Sequence, residues 1–148
     1  MRAKIYLAIV DKLKTIVDTE DVPVIKHFDL WNMNVEYIDQ ETVWDMPAVF
    51  IEFAPIQWKE AGNGAQQANI SIVLHIATPY VGASADGEQS QSDALGYFKL
   101  LDKIHKALYG LRGENFMALK RVSSQTNHNH AEIIESIETF TCTIVDKL

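Results

Sequence analysis

The chain has one cysteine, Cys142, so no disulfide can form within it. A small secreted scaffold held by cross-links is therefore excluded. Long hydrophobic runs are also missing. The most apolar stretch, Ile70 to Ala77, is interrupted by Ser71 and His75 and falls far short of the ~20 residues that span a bilayer. Near the N-terminus the apolar stretch Ile5 to Val10 is followed at once by Asp11, Lys12 and Lys14, where a signal peptide would continue apolar and end in small residues. Positive charge is in deficit, with 13 basic against 20 acidic side chains and a net charge of −7. Such a surface repels phosphate backbones and argues against tight DNA binding by the protein as a whole. There is no P-loop, no dinucleotide-binding glycine fingerprint and no nucleophile elbow.

What is present is 148 residues, 47% hydrophobic and 22% charged, the length and composition of one globular domain. Residues 1–148 read as a single intracellular unit without internal repeats or linkers. The charge within it is unevenly placed. Asp18, Glu20, Asp21, Asp29, Glu36, Asp39, Glu41 and Asp45 crowd one stretch against Lys26 alone. Lys99, Lys103, Lys106, Arg112, Lys120 and Arg121 crowd another against Asp102 and Glu114. The two halves can neutralise each other within one chain, or meet head to tail between copies.

The periodicity predicts a first helix from Arg2 to Val17, with Ile5, Ile9, Leu13 and Ile16 on its apolar stripe and an acidic turn at its end. Strands follow at Val24 to Trp31 and Ala48 to Phe53, the latter with Val49, Ile51 and Phe53 on one face. Gly62-Asn-Gly64 is a hairpin tip, where the positive φ angles of a tight turn are needed. Gln66 to Thr78 is the clearest strand, with Ile70, Ile72, Leu74 and Ile76 alternating against Asn69, Ser71, Val73 and His75. Val81 to Ser90 is small, polar and glycine-containing, the composition of a mobile loop. A second helix is expected from Ser92 to Leu111, capped by Ser92 or Asp93 and ended by Gly110 or Gly113. Its buried stripe reads Leu95, Phe98, Leu101, Ile104 or His105, and Leu108, leaving Lys99, Lys103 and Lys106 exposed. Two further strands, Phe116 to Ser123 and Ala131 to Val145, flank a polar turn. In the last of them Ile133 and Ile137 have one parity and Phe140, Cys142 and Ile144 the other, which implies a β-bulge near Glu138 or two halves facing different layers. The expected class is α+β: an antiparallel or mixed sheet with two amphipathic helices on one face, a two-layer sandwich.

Catalytic chemistry finds little support. Cys142, among Phe140, Thr141, Thr143 and Ile144, reads as a small buried hydrophobe rather than a nucleophile. His128 and His130 lie on one side of an extended segment that Glu132 would continue, but a zinc site wants more ligands at more distinctive spacing. No metal or other cofactor is expected. His27, His75 and His105 stand alone and read as structural. The carboxylates fall in polar loops or on a wet strand face, where nothing raises a pKa for acid–base work. Trp31, Trp44 and Trp58 sit in irregular connections, where each either plugs the end of the core or anchors a subunit interface.

The N-terminal helix, MPAVFIEF (Met46 to Phe53), QQANISIVLHIATPY (Gln66 to Tyr80), LLDKIHKALYGLRG (Leu100 to Gly113), the strand Phe116 to Ser123 with Lys120-Arg121, and HAEIIESIETFTCTI (His130 to Ile144) together resemble a phage or prophage tail component. The group they are most similar to is the tail terminator, or minor tail, proteins of long-tailed bacteriophages. The likeness lies in element order and strand pattern, and Trp31 to Asp45 stands outside it. It implies a ring, typically a hexamer, that stops tail-tube growth and joins the tube to head or neck proteins. It implies no enzymatic step, DNA passing through without specific binding, no membrane, assembly in the host cytoplasm and residence in the virion tail. Net negative charge and charge bipolarity fit such a conduit and such ring-closing contacts. Trp31, Trp44, Lys99, Lys103 and Lys106 are the expected interface residues. A head–neck connector or tube subunit would share the architecture. The opposing class is a dimeric ligand-binding or enzymatic α+β domain with a site near His128 and His130.

Overall fold

The computed structural model describes residues 1–35 and 44–148. Helix α1, Arg2–Leu13, is one turn shorter than its apolar period. Beyond it the Thr15 and Ile16 amides donate to the Lys12 and Leu13 carbonyls at three-residue spacing, tightening the last turn. Ile16 stays buried all the same. The acidic turn is held by Asp18, whose Oδ1 accepts the Glu20 and Val22 amides at 2.8 and 3.0 Å.

Strand β1, His27–Leu30, runs parallel to β2, Ala48–Phe53, so the sheet is mixed. β3, Lys59–Gly62, and β4, Ala65–Pro79, form the expected hairpin, with Gly62, Asn63 and Gly64 at φ of 85°, 53° and 73°. β4 carries β2 and β3 one after the other along one edge. Its other edge pairs with the whole of β6, Ile133–Lys147. β5, Lys120–Asn127, closes the order β1-β2-β4-β6-β5, an open six-stranded sheet with β3 beside β4. The α+β class, with two helices against one face of a mixed sheet, is the observed one.

Of three local readings, one is decided between its two alternatives, in favour of halves that face different layers, and two are corrected. The β4–β6 register runs unbroken from Ala65↔Lys147 to Pro79↔Ile133, so β6 has no bulge near Glu138. Its parity change arises because its two ends are buried on opposite faces of the sheet, Ile133 on one and Phe140, Cys142 and Ile144 on the other. The register shift lies instead in β5, between Arg121 and Ser123. Second, Ser124 to Asn127 are strand rather than turn, paired with Glu138 to Glu135, because an edge strand can point polar side chains to water. Phe116 makes only an isolated bridge to Ile144.

Third, the second helix is bent at Leu95 into α2, Gln91–Ala94, and α3, Gly96–Leu108, with no side-chain cap at either start. The loop before it is tied at its base, Ser90 Oγ donating to the Ala83 carbonyl at 2.7 Å. Gly110 follows α3 at φ 77°, as the expected stop requires. The buried stripe is Leu100, Ile104 and Leu108, and Leu101 is half-buried. Leu95 and Phe98 are 42% and 48% exposed. A stripe stepping by three and one stepping by four both pass through Leu108, and only the packed sheet selects between them.

The main core lies between α1, α3 and the sheet, with Ile5, Ile9, Leu13, Ile104 and Leu108 over Ile70, Ile72, Leu74, Ile76, Phe140 and Ile144. A smaller cluster covers one end of the other face: Val35, Trp44, Ala48, Phe50, Ala77 and Ile133, with Trp31 and Met46 packed beside them.

Candidate functional site

The strand order puts Asp29 and Lys120–Arg121 on opposite edge strands, whereas Lys103, Lys106 and Arg112 share a groove with Val17, next to the acidic turn. The acidic turn Asp18–Asp21 leads into β1, which carries Asp29 on one edge of the sheet. Lys120 and Arg121 open β5 on the other edge. Four strand spacings of ~4.8 Å, about 19 Å, lie between these edges. Among the described residues, no ion pair within 4.0 Å joins one stretch to the other. Lys4 pairs with Glu114 at 3.5 Å and Arg121 with Glu138 at 3.8 Å. Glu36, Asp39 and Glu41, part of the acidic reading, lie outside the described residues.

Lys99, Lys103 and Lys106 are all exposed on α3. The last two join Lys12 and Arg112 along an open groove of about 680 Å³ floored by Ile16, Ala107 and Leu111. Lys12 and Lys106 sit in the last turns of their helices, where a cation complements the helix dipole.

The two tryptophans expected at an interface are engaged within the chain. Trp44 is 8% exposed and meets Phe50 edge-on, ring centroids 5.0 Å apart. Trp31 is half-buried and lies flat on the His75 ring. Both follow the core-plug reading of the irregular segment. Trp58 remains partly exposed.

Beneath Trp31 is a network that reading along the chain did not assemble. His75, buried on the face away from the helices, has Nδ1 2.8 Å from Glu135 Oε1 and Nε2 2.7 Å from Glu52 Oε2. Both ring nitrogens are thus engaged, one by each glutamate side chain. Asn127 Nδ2 donates to Glu135 Oε2 at 2.7 Å. The network thus laces β2, β4, β6 and β5. Burial pushes the Glu135 carboxyl up, but hydrogen bonds from His75 and Asn127 and the nearby His75 and His130 charges outweigh it and hold it below the ordinary value. On the helix face Glu138 is also buried, accepting from Ser124 Oγ with the Arg121 guanidinium beside it. Pairing register brings these groups together from positions scattered between 52 and 138, so no local spacing could reveal them.

His128 is exposed, and His130 is half-buried with its Nε2 enclosed and unpartnered. Among the described residues no three His, Cys, Asp or Glu side chains are grouped to hold a metal. Cys142 is buried as a core residue, and burial pushes its thiol up to about 11.

No protein-family model matches the chain, and no curated protein matches it. Among the described residues no helix is long and apolar enough to cross a membrane.

Proposed function

We propose that this protein is the ring-forming subunit of a phage or prophage tail, capping the tail tube and joining it to head or neck proteins. The observation that carries the reading is that Asp29 and the Lys120–Arg121 pair stand on opposite edge strands of one open sheet, with no ion pair between the acidic and basic stretches among the described residues. Surfaces that differ and lie on opposite sides make head-to-tail contacts, and head-to-tail contacts close into rings. Exposed charge pairs are each worth only about 0–1 kcal/mol, so they steer and register the contact while apolar burial holds it. The resemblance of the sequence to tail terminators implies a ring, typically a hexamer, and the function: a shaped conduit through which DNA passes without specific binding and which makes or breaks no bond. In this reading the subunit assembles in the host cytoplasm and ends in the virion tail.

Native mass spectrometry over a concentration series, with electron microscopy of the largest species, tests it. The expected result is a closed ring with a central hole, lost when Lys99, Lys103 and Lys106 are all replaced by Glu while the monomer stays folded. A stable two-fold dimer indifferent to those replacements overturns the reading.

A further inference from the structure

The core uses only part of the apolar surface of α3. Phe98 is left 48% exposed, packed against Tyr97 with ring centroids 4.2 Å apart. It stands with Asp102 and Arg121 around a shallow depression beside β5. A single exposed phenylalanine is ordinary on a protein surface. Here the opposite edge of the same helix layer holds a counterpart. Between α1 and the β1 edge is a cavity of about 510 Å³, walled by Tyr6, Leu30 and Phe53, with Arg2 and Asp29 at its margin. Leu30 is 53% exposed there.

We propose that Phe98 of one copy seats in the α1–β1 cavity of the next copy. The two margins carry complementary charges: Asp29 and Arg2 at the cavity answer Arg121 and Asp102 at the Phe98 depression. Knob and hole lie at opposite edges of the sheet, so the contact is head-to-tail and leaves any open row of copies with one free knob at one end and one free hole at the other until a ring closes. A buried aromatic at the centre of a charged rim is the usual energetic anchor of an interface. The inference rests on the ring reading and names its interface.

The test uses two variants of the full chain, Phe98→Asp (knob removed) and Leu30→Asp (hole spoiled). Both positions are exposed, so circular dichroism and melting should match the parent; Phe98→Ala and Leu30→Ala serve if either aspartate variant does not fold. Each variant alone is expected to be monomeric in native mass spectra at concentrations where the parent forms rings. The alanine versions should raise the midpoint of assembly roughly tenfold or more. Mixed in equal amounts, the two aspartate variants should give a heterodimer and nothing larger, since only one knob–hole pair survives. Rings that form equally well from either variant overturn this docking and leave the ring reading standing. A parent that is monomeric at every concentration, or closes as a two-fold dimer, overturns both.

Discussion

The His75 imidazole lies on the Trp31 indole with ring centroids 3.7 Å apart and planes 3° from parallel. A stacked pair of aromatic rings is stabilised beyond the area it buries. The stack thereby fastens Trp31, just after β1, to the sheet face that the helices do not cover. Trp31→Ala should cost about 2–4 kcal/mol in urea unfolding, within the range for losing a large packed aromatic. Unchanged stability would show that the stack adds nothing to the fold.

His75→Leu should be more damaging than Trp31→Ala. It leaves Glu135, 1% exposed, without its partner in the interior, and breaking one member of a buried pair costs about 3–5 kcal/mol. Replacing both residues, His75→Leu with Glu135→Leu, should recover much of that loss, because no buried charge is then stranded. Denaturant midpoints of the two singles and the double form a cycle that measures the coupling.

The acid limb of stability should carry the Glu135 signature. Its folded value lies below the ordinary 4.5, so the unfolded chain takes up this proton first as pH falls. Its contribution is complete above the ordinary value and is lost as pH falls through the folded one. Unfolding free energy measured from pH 6 to pH 3 should therefore fall less steeply below about 4.5 in Glu135→Gln than in the parent. Parallel curves would contradict the assignment.

The phase of α3 is open to a simple comparison. Ile104→Ala empties a fully buried site and should cost about 2–5 kcal/mol, whereas Phe98→Ala in the monomer should stay within about 0.5 kcal/mol. The reverse order in thermal or urea unfolding would restore the stripe through Phe98 as the core face.

Cys142 should be silent toward maleimide in the folded protein. Its thiol is enclosed by the sheet and helices and pushed up to about 11, so thiolate is scarce at neutral pH. Labelling should follow the rate of unfolding; rapid labelling of the native chain would place Cys142 at the surface.

The amino-acid sequence by itself determined the elements whose period is long and clean. The isoleucines and leucine of β4, the stripe Ile5, Ile9, Leu13 and Ile16, and the glycine-flanked Asn63 turn each depend on neighbours within a few residues, where side-chain alternation and backbone sterics are decisive. Together they specified two helices on one face of a sheet. Three things waited for tertiary structure. The face of α3 was one, since two apolar stripes share Leu108 and only contact with the sheet chooses between them. The strand role of Ser124 to Asn127 was another, because polar residues become strand when a neighbour such as β6 supplies the ladder. The last was the joining of Glu52, His75, Asn127 and Glu135. Their proximity follows from register across four strands, and register is set by long-range pairing that leaves no trace in local spacing. The same long-range order put Asp29 and Lys120–Arg121 on opposite edge strands, which the linear charge pattern stated only as two stretches of chain.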